Sequence, residues 1–302
     1  YLFFVAGGAL AVENAMKAAF DWKVQLNQRR GIDGGGDRIL HFRNAFHGRS
    51  GYTLSVTNTD PAKTARFPKL DWPRISAPAL SYPVDPDAAA AAEEASVAEI
   101  EDAFRTDPHG NAANLIEPIQ GEGGDRHFRP AFFKRLREIA DRHEALLIFD
   151  EVQTGMGLTG SMWAFEQLGV TPDIVAFGKK TQVCGIMSTT RIDEVEGNVF
   201  HVSSRINSTW GGNLVDMVRC ARYLQIIDED GLVENAATVG RSLLQELEEL
   251  QAEFPLVTNV RGRGLMIAFD LPDRETRDAP VSYTHLRAHE TSRAISYAVF
   301  WV

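Results

Sequence analysis

Cysteine is nearly absent: Cys184 and Cys220 are the only 2 in 302 residues, and they form no CxxC arrangement. This excludes a disulfide framework and a thiolate metal site, and it fits a reducing compartment. Basic charge is also in short supply. With 31 Lys plus Arg against 41 Asp plus Glu, the formal net charge is -10, which argues against nucleic acid as the main partner but leaves room for a local basic pocket. No apolar run is long enough to cross a bilayer, and residues 1–6 lack the basic start of a signal peptide, so a cytoplasmic protein without a membrane partner is expected. Asn207-Ser208-Thr209 matches a glycosylation sequon, but nothing else points to secretion and the match is read as chance. Internal repeats and low-complexity segments are missing too.

What is present is enough apolar sequence, 44% of residues, to bury a sizeable core. Residues 145–149 and 174–177 are short, apolar and partly β-branched, as buried strands of a parallel sheet are. Each ends in charge, the first in Asp150-Glu151 and the second, after Gly178, in Lys179-Lys180. A charge that close to a core needs a partner or a ligand. Residues 1–5 read as a further strand, Gly7-Gly8 as a tight turn, and residues 9–28 as a helix, a combination that makes a ready anion site. Strands are expected at 38–42 and 114–117, helices at 88–104 and 131–143, and loop through the proline-rich stretch 67–86. After the lysine pair, a loop is expected to run to Gly212, followed by a helix through Leu224, an amphipathic helix over 233–250, and a turn and strand over 260–269. The alternation predicts an α/β architecture with a largely parallel sheet.

Ligands of such sheets bind beyond the carboxyl ends of the strands. The groups found there are Gly7-Gly8-Ala9, residues 117–122, Asp150-Glu151 and Gly178-Lys179-Lys180. A carboxylate, a lysine and an anion-binding turn suit a pyridoxal phosphate site, where the lysine bonds the aldehyde and the acid keeps the pyridine nitrogen protonated.

With Leu147-Ile148, Asp150-Glu151, Gly155, Gly160, Asp173 and Gly178-Lys179 in register, the sequence resembles the class III, or omega, aminotransferases of fold type I. The stretches EPIQGEGGDRHFRP, FDEVQTG, FGKKTQVCG and NSTWGGN are most similar to members that move the side-chain amino group of L-lysine to 2-oxoglutarate. The resemblance implies pyridoxal 5'-phosphate as cofactor, held covalently by Lys179 rather than Lys180. It implies that Asp150 pairs with the ring nitrogen, that Gln153 bonds the phenolic oxygen, and that Phe46 stacks on the ring. Gly8 and Ala9 would hold the phosphate, helped by Ser208 and Thr209 of a second subunit, so that a homodimer is expected. Arg49 would bind the substrate's α-carboxylate. Glu122 would be a switch, pairing with an arginine of a C-terminal small domain and releasing it to 2-oxoglutarate. His47 reads equally well as a structural histidine.

The resemblance runs from Tyr1 to about Asp278. It implies an N-terminally incomplete large domain over 1–258, the start of a small domain over 259–278, and a tail over 279–302 foreign to the family, as in an incomplete coding sequence. Two alternatives stay open: an omega-aminotransferase acting on ornithine or 4-aminobutyrate, and a truncated product without catalytic activity.

Overall fold

Leu146 and Ile148 face one side of their strand and Leu147 and Phe149 the other, yet all are fully buried. Side chains alternate across a strand, so such a strand needs cover on both faces. The structure, a computed structural model, describes residues 1–273, 275 and 276, so the expected foreign tail lies outside the described residues.

The described chain runs β1 (Leu2–Val5), α1 (Gly8–Arg29), β2 (Arg38–Phe42), α2 (Gly51–Val56), α3 (Pro61–Thr64), β3 (Arg74–Ile75), α4 (Pro86–Thr106), β4 (Asn111–Ile116), α5 (Pro130–Arg142) and β5 (Leu146–Asp150). It continues with β6 (Ile174–Phe177), β7 (Cys184–Ser188), α6 (Leu214–Glu229), α7 (Leu232–Glu253), β8 (Thr258–Arg263) and β9 (Met266–Asp270). Strands β1 to β7 form one sheet in the order β1-β7-β6-β5-β4-β2-β3. From β3 to β6 the neighbours are parallel, and β7 is antiparallel to both β6 and β1.

Helix α1 covers one face. Its alanines at 11, 15, 18 and 19 are all buried, so the helix backbone lies close to the sheet, with Trp22 buried further along the same core. A larger side chain at such a position would overpack the layer at a cost of about 1–3 kcal/mol. Helices α4 and α5 cover the other face through Ile100, Phe104, Phe132 and Leu136. Helix α4 starts where Asp85 accepts from the amides of Asp87 and Ala88, with Pro86 in the first turn.

Three sequence expectations need correction. The segment after the lysine pair is not simply loop, because β7 inserts between β1 and β6. Only Ile186 of CGIMS joins the fully buried core, so the strand carries little apolar pattern. The proline-rich stretch contains β3, two residues paired to β2. Residues 258–270 form an antiparallel hairpin rather than a turn and one strand. The hairpin is tied to the turn after β4 by Arg261, whose Nε and Nη2 donate to the carbonyls of Asp125 (2.8 Å) and Gly124 (2.6 Å).

Candidate active site

Parallel strands deliver their carboxyl ends to one edge of the sheet, and there three turns meet. Gly8 opens α1, and a Cβ on it would lie 2.9 Å from Cγ1 of Val152 in the turn after β5. A Cβ on Gly178, after β6, would lie 3.0 Å from Cys184 Sγ and 3.5 Å from Gly8 Cα. These absent side chains let the turns close on one another. Gly7 caps α1 at φ 121°, where glycine is favoured, and the first turn of the helix carries no acidic residue. Its leading amides have no partner within the helix, which makes that end attractive to an anion.

Lys179 sits in a single 3-10 turn, Lys179–Thr181, with φ 52° and an exposed side chain. Left-handed backbone at a lysine costs free energy and is kept only where the surroundings hold it. Here the amides of Thr181 and Gln182 close the turn onto the carbonyls of Gly178 and Lys179. Lys179 Nζ donates to Gln153 Oε1 at 3.2 Å, and Lys180 Nζ donates to the Gln153 carbonyl at 2.5 Å. Burial, reinforced by the charge of Lys179, lowers Lys180 to about 8. The two lysines therefore hold one glutamine from opposite ends.

The acidic pair divides its work. Asp150, 5% exposed, accepts from the Val152 amide at 3.0 Å and faces His47 Nδ1 at 2.8 Å. Glu151, 0% exposed, turns the other way and accepts from Thr154 Oγ1 and from the amides of Ala164 (3.1 Å) and Phe165 (2.8 Å). Asp150 is the member aimed at the site, whereas Glu151 holds the following loop. His47 is paired at Nδ1, while its buried Nε2 has no partner among the described residues.

Glu117 received no role from the sequence, although it directly follows β4 beside this cluster. It is buried and accepts from the Phe46 amide at 2.9 Å. Burial raises its carboxyl well above the ordinary range and the charge of Asp150 adds to this, while the Phe46 amide and Lys179 pull the other way. The run 112–116, apolar except for Asn114, was the available signal, since an acid at the end of a buried strand must be paired or protonated.

The remaining predicted residues are more dispersed. Ala9 packs beneath Gly48, where a Cβ would come within 2.9 Å of Ala9 Cα. Phe46 is half-buried, with Lys63 Nζ 5.7 Å from its ring centroid. Glu122 follows Gly121, which packs against the Gln153 amide, and it is paired with Lys63 and hydrogen-bonded by Thr59. Arg49 is exposed and makes no side-chain hydrogen bond or ion pair among the described residues. Among the described residues Ser208 and Thr209 make no hydrogen bond to Lys179: the Ser208 amide donates to Asn207 Oδ1, and Thr209 is exposed. Their loop lies along β1, and beside it a cavity of about 320 Å³ is lined by Gly7, Gln182 and Trp210. No cluster of His, Cys, Asp and Glu suited to a metal occurs among the described residues, and no described helix is long and apolar enough to cross a membrane.

An amine on a strained turn, a buried carboxylate backed by histidine and an open helix N-terminus beside glycines are chemically suited to an aldehyde and an anion. Residues 1–292 match the family Aminotransferase class-III, and the chain belongs to that family. It is 60% identical over 290 residues to an L-lysine-epsilon aminotransferase of Mycobacterium bovis, an alignment that covers 95% of this chain and 65% of the relative. The solved lysine aminotransferase from M. tuberculosis in the internal aldimine form is similar at 60% identity and a TM-score of 0.93, covering 95% of this chain and 67% of that one. A 4-aminobutyrate aminotransferase of Homo sapiens, mitochondrial, is 34% identical over 299 residues, or 91% of this chain and 58% of the relative. The chain thus spans about 65% of the length of the mycobacterial relative.

The family implies pyridoxal 5'-phosphate, and the residues present fit it. Asp150 keeps lone pairs for a protonated ring nitrogen, Lys179 offers an amine to an aldehyde, and the α1 amides suit a phosphate.

Proposed function

We propose that this chain carries the reactive centre of an enzyme that moves the 6-amino group of L-lysine to 2-oxoglutarate. The products are 2-aminoadipate 6-semialdehyde, which cyclises to piperideine-6-carboxylate, and L-glutamate. The observation that carries this reading is the Lys179 amine held at 3.2 Å from Gln153 Oε1, on a turn whose Gly178 lies against Gly8 at the start of α1 and Val152 after Asp150. The choice of donor rests on the 60% identity to lysine enzymes, against 34% for the 4-aminobutyrate enzyme.

In this proposal Lys179 Nζ would hold the cofactor covalently and, when free, would serve as the base that takes a proton from the ε-carbon of lysine. When bound, pyridoxal phosphate supplies the electron-withdrawing ring that stabilises the charge left on that carbon. Asp150, fixed by His47, keeps the ring nitrogen protonated. Gln153 would bond the phenolic oxygen, Phe46 would stack on the ring, and the amides of Gly8 and Ala9 would hold the phosphate. Arg49 receives the α-carboxylate of lysine, for which a guanidinium fork is well shaped, leaving the far amine directed inward. Glu122 neutralises a cation during the lysine half and yields it to a carboxylate of 2-oxoglutarate. Ser208 and Thr209, which make no contact with Lys179 among the described residues, are proposed to serve the site of a second copy, which makes the working unit a homodimer.

The test is a half-reaction. The chain loaded with pyridoxal phosphate is mixed with lysine, ornithine or 4-aminobutyrate, and the visible cofactor band is followed. Lysine is expected to bleach it fastest, and Lys179→Ala is expected to show neither band nor bleaching. Equal or faster bleaching by another amine would move the assignment to that substrate, and bleaching by none would remove the activity from this chain.

A further inference from the structure

Two consecutive lysines meet Gln153 at different atoms. Lys179 Nζ donates to its side-chain Oε1, and Lys180 Nζ donates to its main-chain carbonyl. The turn carrying Gln153 is pinned on either side of it. The Glu151 amide donates to the Ala176 carbonyl at 2.9 Å, the Gly155 amide donates to the Glu151 carbonyl at 2.9 Å, and Thr154 Oγ1 donates to the Glu151 carboxylate. Among the described residues, the Gln153 carbonyl receives no hydrogen bond other than the one from Lys180. A carbonyl drawn away from water needs such a partner to stay where it is. The side-chain amide has little room, because a Cβ on Gly121 would come 2.6 Å from Gln153 Cδ. With Gly121 on one side and Lys179 on the other, rotating the Gln153 peptide would move the amide off Lys179. Lys180 is half-buried, and the charged groups acting on it are Lys179 on the same turn and Glu151 after β5.

We propose that Lys180 is a positioning residue of the active site: its ammonium fixes the main chain of Gln153 and thereby aims the side-chain amide at the Lys179 amine. A hydrogen bond from an ammonium is about twice as strong as one between neutral groups, enough to hold a turn that has no other bond at that carbonyl. Burial lowers Lys180 to about 8, as befits a cation held partly out of water, and the charge of Glu151 offsets part of that fall. The inference rests on the reading that Lys179 bears the cofactor, and it needs no contact between Lys180 and that group.

The test measures the dissociation constant of pyridoxal phosphate by titration at the visible band. It uses the full 302-residue chain as wild type, Lys180→Met, Lys180→Arg, Gln153→Ala and Gln153→Ala/Lys180→Met. Lys180→Met keeps an unbranched stem but donates nothing, so it should weaken binding about tenfold, and Lys180→Arg should recover most of that loss. In Gln153→Ala there is no amide left to aim, so adding Lys180→Met should change the constant by less than about twofold. An affinity in Lys180→Met equal to the wild type overturns the proposal, as does an equal loss in Lys180→Met and Lys180→Arg, or the same loss with and without the Gln153 amide. Melting curves of each variant separate lost binding from lost fold. A borohydride-fixed adduct away from Lys179 would sink the reading on which the inference rests. An adduct on Lys179 with an affinity indifferent to Lys180 would sink this inference alone.

Discussion

Asp150 and Glu151 are adjacent acids at the end of one buried strand, and they should fail in opposite ways when replaced. Glu151 accepts from Thr154 Oγ1 and from the amides of Ala164 and Phe165, and Ala164 is itself buried. Glu151→Ala strands these donors in the interior, where each lost partner costs about 1–3 kcal/mol, partly relieved if water enters the gap. The sum is about 3–5 kcal/mol, in the range for breaking a buried charged contact. For a chain of this size, 1 kcal/mol moves the melting temperature by about 2 °C, so a fall of about 6–10 °C is expected in calorimetry. Asp150→Asn retains an acceptor for the Val152 amide and a group for His47 to face, so it should cost no more than about 1 kcal/mol. Its loss should be functional, since a neutral amide does not hold a ring nitrogen protonated. The assay pairs melting curves with cofactor titration, read at the visible band. A folded, cofactor-loaded Glu151→Ala with an unchanged melting point, beside a destabilised Asp150→Asn, would refute the division of roles.

Two further predictions concern pH. Burial and neighbouring arginines depress His41 and His127 to about 3 from 6.5, so the unfolded chain binds protons there that the folded chain refuses, and stability is lost as pH falls below 6.5. Each histidine should cost about 2 kcal/mol by about pH 5. His127→Phe, which keeps a ring for the contact with Tyr82, should halve the acid loss, whereas an unchanged slope would remove His127 from the explanation. Glu117 is shifted the other way. Because its folded carboxyl is raised well above 4.5, folding takes up a proton there, and stability falls as pH rises from 4.5 through the folded value. Glu117→Gln should therefore gain on the wild type with rising pH in melting curves from about pH 5 to about pH 8, and a constant gap would contradict the burial argument.

The sheet was legible wherever burial was two-sided. Residues 174–177 and 38–42 match their strands, and the helix expected over 131–143 is observed as Pro130–Arg142, because an apolar run or a one-faced stripe identifies its own element. Strand β7 was not legible. Its residues include Gly185, which packs against the Phe3 carbonyl, and its place between β1 and β6 is decided by partners far away in the chain. In the site, the acid pair and the lysine pair stood out because charge follows a buried run. Strand position alone did not separate Asp150 from Glu151, since both lie at the strand end; the family resemblance chose Asp150, and the folded loop 163–165 gives the physical reason, because it occupies Glu151. Nor did the sequence offer Lys63, which reaches Glu122 across 59 positions of chain and belongs to no motif (122 minus 63).

The central claim is that Lys179, and not its neighbour Lys180, is the amine presented to the cofactor. Pyridoxal phosphate is added to the purified chain, the adduct is fixed with borohydride, and the modified peptide is sequenced by mass spectrometry. Lys180 is half-buried and occupied by the Gln153 carbonyl, whereas Lys179 is exposed on its left-handed turn. The adduct is expected on Lys179 alone; an adduct on Lys180, or labelling spread over surface lysines with none at 179, would contradict it.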